Sequence, residues 1–278
     1  FAAERQQLEA MNSDKKGLAD HDSLRDELYS LVSNVLFLRD RKDSNKFHPR
    51  ISAQQDFTYE ALYDCDKAVF NRLYDDYFYH RNNQFWYREA MKKLPKLVQA
   101  TRMLVCAEDL GMVPQCVQPV LARLRILTLE IQTMPKTYGQ LFANLEDNPY
   151  RSVATIFTHD MPTLREWWRE DPERAQLYYR HVLHHGGEAP ADMPGWLCTE
   201  VVERHIASPS MLCLLSMQDW LSTNETLRHP DPMAERINIP ANAHHYWRYR
   251  MHVTLEQLSS ERDWCMQLRN MIAQSGRL

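Results

Sequence analysis

Residues 153–162 read VATIFTHDMP, and this stretch decides the fold. Six residues without a charge run directly into His159, Asp160 and a proline. A run this short and continuous is the pattern of a strand buried on both faces of a parallel sheet. The polar residues at its C-terminal end then stand where the loops of a β/α fold converge. MLVCA (103–107), ILTLEI (126–131) and MLCLLS (211–216) repeat the pattern. Helical segments are expected between them at 114–124, 162–168 and 172–184. The first three strands are spaced as consecutive βα units. The longer gap before residue 211 leaves room for a helical excursion through HHGGEAPADMPGW (184–196). A loop rich in Pro, His and Asn (225–250) then leads to a final helix at 254–273. Four strand–helix units make half of an eightfold barrel or a complete small open sheet, and periodicity does not separate the two.

Upstream, residues 1–100 read as a mainly helical subdomain, with 101–278 carrying the strand–helix units. His21-Asp22-Ser23 offers caps before LRDELYSLVSNVLFL (24–38), where Leu24, Leu28, Leu31 and Val32 recur at helical spacing. The charged, Pro-bearing stretch 39–52 predicts a loop or exposed hairpin. Two further helices, 59–79 and 84–100, are rich in aromatic residues and separated by Arg81-Asn82-Asn83. Only 7 of the 278 residues are Gly, where average usage predicts roughly 19, so long helices and few tight turns are expected.

Composition excludes several classes of function. With 33 Lys and Arg against 37 Asp and Glu the net charge is −4, which lacks the basic footprint of a nucleic-acid partner. No apolar window is long enough to span a membrane, and a 44% hydrophobic content supplies a core. The six cysteines form no C-x-x-C pair, so neither a zinc ribbon nor a disulfide framework is indicated. The expectation is a cytoplasmic protein with no cofactor and no metal.

Carboxylates stand at every strand exit: Glu108 and Asp109 after the first, Glu130 in the second, Asp160 after the third, Asp219 after the fourth. Asp109, Asp160 and Asp219 read equally as helix caps. Glu108 is a poorer cap and points more to acid/base chemistry. His159-Asp160 also reads as a metal-binding doublet of a phosphohydrolase, although the strand-like VATIFT before it argues against the helical context that reading needs.

VCAEDLGMVP (105–114), THDMPTLREWW (158–168), LLSMQDWL (214–221) and RINIPANAHHYWRYR (236–250), in this order, resemble the 4-α-glucanotransferases, the amylomaltases or disproportionating enzymes of glycoside hydrolase family 77. The resemblance covers about residues 90–275 and is greatest to the branch with a long insertion inside the barrel. It implies an α/β fold: the second half of a (β/α)8 TIM-type barrel, about four βα units, preceded by a mainly helical insertion. It implies Glu108 as the general acid/base and Asp160 as the third carboxylate. It also implies His159, Asn238, Trp247 and Arg248 as substrate contacts, with maltose, maltodextrin or another α-glucan as partner.

The chemistry so implied is retaining glycosyl transfer. A nucleophilic Asp attacks the anomeric carbon while Glu108 protonates the departing oxygen, and Glu108 then deprotonates an acceptor hydroxyl. To act first as an acid, Glu108 must hold its proton near neutral pH, which partial burial beside MLVCA favours. Trp167, Trp168, Tyr246 and Trp247 are candidate sugar platforms. The family's nucleophile motif, R-x-D-H-x-R-G, does not occur in this sequence. The motif order places it before Phe1, so the chain is expected to be the C-terminal portion of a larger enzyme, inactive alone. A non-catalytic carbohydrate-binding or interaction fragment is the alternative.

Overall fold

The computed structural model describes residues 15–137 and 139–277. The chain divides into two compact units, 1–88 and 89–278, with the division falling inside a helix at Asn83–Gln99.

In the first unit, helix α1 (Lys15–Ser33) precedes an antiparallel hairpin of β1 (Phe37–Arg39) and β2 (Phe47–Pro49). The charged stretch between them is the hairpin's tip, as its composition predicts. The expected helix through residue 38 stops at Ser33 instead. Asn34 turns outward to accept the Thr58 backbone N–H at 3.0 Å, and Phe37–Arg39 pairs across the hairpin. Helix α2 (Asp64–Asp75) continues into a π-helical turn (Asp76–Arg81). Phe70 is buried under Phe37, Tyr59 and Tyr74 at ring-centroid distances of 5.4, 5.6 and 6.0 Å. The leucine stripe of α1 is exposed (Leu24, Leu28, Leu31).

The second unit is α/β. Following α3 (Asn83–Gln99) and α4 (Val117–Leu124), strands β3 (Thr128–Ile131), β4 (Ser152–Thr155) and β5 (Leu212–Cys213) form a parallel sheet in chain order. Cys106 adds a parallel bridge to Leu127 at the outer side of β3. All four apolar runs therefore lie side by side, each shorter than the sequence suggests. MLVCA departs furthest from expectation. It contributes one bridge, and Met103, Leu104 and Cys106 are exposed. No strand flanks it on its outer side among the described residues, so its outward side chains have nothing to pack on. By contrast β4, flanked on both sides, is buried at every position.

Helices α5 (Leu164–Glu170), α6 (Pro172–His181) and α7 (Gly195–Ile206) fill the long gap between β4 and β5. They close a core in which Ile156, Phe157, Trp167, Trp168, Tyr178 and Val201 pack together. After α8 (Met217–Ser222), the expected C-terminal helix is two helices, α9 (Leu255–Ser260) and α10 (Arg262–Gln274), interrupted at Glu261. The six cysteines are all free thiols. No helix among the described residues is long and apolar enough to cross a membrane.

Candidate active site

Because the bridge strand, β3, β4 and β5 are parallel, their C-terminal ends share one edge of the sheet. Adjacent strands lie about 4.8 Å apart, so the exits bearing Glu108 and Asp160, two strands removed, are separated by roughly 10 Å across the sheet.

At the outer exit, two neighbouring carboxylates have opposite surroundings. Asp109 is buried at 6% exposure; its Oδ1 accepts the Leu129 N–H at 2.8 Å and its Oδ2 accepts Lys136 Nζ at 2.8 Å. Lys136 Nζ also donates to Glu130 Oε1 at 2.8 Å. One lysine thus compensates two carboxylates, and Asp109 ties the exit loop to β3 rather than capping a helix. Glu108 is exposed and makes no hydrogen bond or ion pair among the described residues. It is not part-buried as expected, because the run preceding it lies at the open side of the sheet.

The β4 exit is built differently. Thr163 precedes α5 and donates its backbone N–H to Glu166 Oε2 at 3.3 Å, so the helix begins at Leu164, four residues beyond Asp160, and leaves His159-Asp160 in a turn. Both side chains are about half exposed. Asn238 Nδ2 donates to Asp160 Oδ1 at 2.6 Å across 78 residues of chain. The His159 and Trp247 rings lie 4.9 Å apart at 52°. Arg248 places its guanidinium 4.9 Å from the Tyr246 ring centroid. Hence Asp160, His159, Asn238 and Trp247, drawn from two distant segments, come together, with Arg248 adjacent in sequence. No contact joins Glu108 to them among the described residues. Of the four candidate platforms, Tyr246 and Trp247 are exposed, whereas Trp167 and Trp168 are core residues at 4% and 1% exposure.

At the β5 exit Ser216 caps α8, and Asp219 returns the bond to the Ser216 N–H at 2.8 Å. Asp219 is therefore a capping-box carboxylate, and its full burial pushes its pKa up to about 6, against the opposing pull of the Ser216 hydrogen bonds. A pocket of about 140 Å³ between the β4 and β5 exits is lined by Thr158, His159, Ser216, Gln218, Asp219 and Glu235. Burial raises the Glu235 pKa as well, opposed by Arg165, whose Nη1 stands 3.6 Å from Glu235 Oε2. Lys136 and Glu235 carry no periodic or motif signal of their own. Glu235 was within reach only as the residue before RINIP, and Lys136 only through the fold.

A family model described as 4-alpha-glucanotransferase, glycoside hydrolase family 77, matches residues 43–256. The chain is 35% identical to the 4-alpha-glucanotransferase DPE2 of Oryza sativa subsp. japonica over 268 residues, which is 96% of this chain and 28% of that protein. It is 28% identical to the 4-alpha-glucanotransferase of Chlamydia muridarum over 170 residues, 60% of this chain and 32% of that protein. Among solved structures, an amylomaltase from Streptococcus agalactiae in complex with acarbose covers 62% of this chain and 32% of its own, at 20% identity and a TM-score of 0.47. The chain spans about a third or less of the length of these two curated relatives. The family match extends over most of its residues, and the chain belongs to glycoside hydrolase family 77, the 4-alpha-glucanotransferases.

Proposed function

We propose that this chain forms part of a retaining 4-α-glucanotransferase that moves α-1,4-glucan segments between maltose or maltodextrin donors and acceptors. Residues 101–278 serve as the second half of its (β/α)8 barrel, and residues 1–100 as a mainly helical insertion. The observation that carries the reading is the meeting of Asp160 with Asn238 and of His159 with Trp247. An exposed carboxylate and a half-buried amide beside an aromatic face are what a sugar ring requires: acceptors and donors for its hydroxyls, and an apolar surface for its C–H face.

In this reading Glu108 protonates the departing glycosidic oxygen in the first half-reaction and takes the proton of an acceptor 4-hydroxyl in the second. It has no competing hydrogen-bond or ion-pair partner among the described residues. The Asp160 carboxylate stabilises positive charge developing on the sugar ring. Asn238 holds one Asp160 oxygen and leaves the other for a hydroxyl. Retention needs a nucleophilic carboxylate about 5–5.5 Å from the acid/base. The motif that supplies it in the family is absent from these 278 residues, so the reading assigns that role to a residue outside them and expects the isolated chain not to turn over.

Maltotriose redistribution by the complete translation product of the gene tests the proposal. Glucose and longer maltodextrins are expected from the parent. D160N is expected to slow their appearance by about 10²–10³-fold, the usual cost of removing a preorganised electrostatic contact. A D160N rate equal to the parental one would overturn the reading.

A further inference from the structure

We propose that Arg236 is a positioning residue for transfer, acting through Asn238 on Asp160. The inference rests on the reading of Asp160 and Asn238 as glucan contacts and adds the device that holds them. The segments 160–166 and 236–238 are bridged twice. At one end Asn238 Nδ2 donates to Asp160 Oδ1 at 2.6 Å. At the other, Arg236 Nη1 donates to Glu166 Oε1 at 2.9 Å and to Glu170 Oε1 at 3.1 Å. Each segment is internally fixed as well. Arg236 Nε donates to the Asn238 carbonyl at 3.1 Å, and Glu166 Oε2 accepts the Thr163 N–H at 3.3 Å at the start of α5. Asp160, Thr163, Glu166, Arg236 and Asn238 therefore close a ring. His245 Nε2 approaches the Ile237 carbonyl at 2.9 Å and braces the same loop.

The ring resolves a structural difficulty. Asp160 is exposed and Asn238 half-buried, and they lie in a turn and an irregular loop, where side chains ordinarily sample several rotamers. Arg236 and Glu166 are the buried half of the ring, with side chains 15% and 5% exposed. A planar guanidinium that pairs with carboxylates through one nitrogen and with a carbonyl through another fixes direction as well as charge. A lysine ammonium, a point charge, reproduces the pairing but not the fork. The buried latch sets the loop, the loop sets Asn238, and Asn238 sets the Asp160 carboxylate.

The test separates positioning from mere charge compensation. In the ¹⁵N-labelled chain the Asn238 side-chain amide is identified by its loss in N238A. R236M is expected to lower Tm, because it leaves Glu166 buried without its cation, and to move the Asn238 amide signals to those of a free asparagine. R236M together with E166Q removes the stranded charge and is expected to recover Tm while the amide stays free. R236K is expected to keep most of the Tm and still release the amide. In the complete translation product, R236K should lower kcat for maltotriose transfer by about tenfold or more, the scale expected when a catalytic contact is displaced, with KM changed less. R236K in an N238A background should cost nothing further, since both act through one contact. An Asn238 amide unmoved by both R236M and R236K overturns the proposal. An N238A rate equal to the parental one overturns the underlying reading of the site, whatever the amide shows.

Discussion

The outer-strand exit and the β4 exit each present two polar residues side by side, and they solve opposite problems. At the first, one carboxylate, Asp109, is buried against Lys136 and the Leu129 N–H, while its neighbour Glu108 stands in solvent without a partner. At the second, both His159 and Asp160 are half exposed, and both are engaged by a single loop arriving from residues 238–247. The contrast teaches how to tell structural from chemical carboxylates here. A buried, saturated one holds the sheet edge together, whereas an exposed one that is free or borrowed by a distant loop faces the reactant. Asp219 at the β5 exit belongs with Asp109: fully buried, and satisfied by its own helix cap.

Replacing Asp109 is the harshest way to break this comparison. D109A leaves the Leu129 N–H without its acceptor and Lys136 with only Glu130. We expect a loss of about 3–5 kcal/mol in urea unfolding, the scale for removing one partner of a buried pair. The adjacent E108A should stay within about 0.5 kcal/mol, as for an exposed side chain without structural contacts. Equal losses at the two positions would erase the distinction.

Asp219 extends the comparison through pH. Its pKa is raised by burial from 3.8 to about 6, so the folded state favours the protonated form. Its contribution to stability is fully present below pH 3.8 and is lost as pH rises through about 6. Buried His205 acts in the opposite sense in nearly the same window. Burial lowers its pKa from 6.5 to about 4, so stability is lost as pH falls from 6.5 toward 4. The Asp219 and His205 slopes therefore oppose each other in the parental profile, with Glu166 and Glu235, also raised by burial, acting in the sense of Asp219. D219N should remove the Asp219 slope and exceed the parent above pH 6 by about 3 kcal/mol, as read by the difference between the two urea-unfolding profiles from pH 3.5 to 8. A constant offset between the profiles contradicts the assignment.

The smallest expected effect lies at the β4 exit. W247A removes an exposed ring that packs on His159. It should weaken maltotetraose binding, measured calorimetrically on the complete translation product, by about 1 kcal/mol, roughly fivefold, while Tm stays near the parental value. A Tm loss without a change in affinity would move Trp247 to the structural side.

Local residue order made the sheet and half of the site legible. VATIFT and ILTLEI are uncharged or nearly so because their strands are buried, and the polar triplets ending them mark the exits. THDM and RINIP, which the family resemblance assigns to one site, meet through the Asn238–Asp160 hydrogen bond. What escaped was decided by tertiary partners. MLVCA has the same pattern as the buried strands, yet among the described residues it pairs on one side alone and leaves Met103, Leu104 and Glu108 exposed. LVSNVLFL continues the apolar spacing of α1 past Ser33, yet hairpin pairing and the Asn34 turn claim it. Trp167-Trp168 and Tyr246-Trp247 are equivalent as dipeptides. One lies on a helix facing the core and the other on an exposed loop. Lys136, between two carboxylates on different segments, has meaning only after folding.

Removal of the acid/base in the complete translation product tests the central claim most directly. In E108A, transfer from maltotriose should fall by about 10²–10⁴-fold, the usual contribution of a general acid or base. α-Maltosyl fluoride, whose leaving group needs no proton, should still be consumed, and added azide should accelerate its turnover to α-maltosyl azide. An E108A protein that transfers from maltotriose at the parental rate would contradict the account.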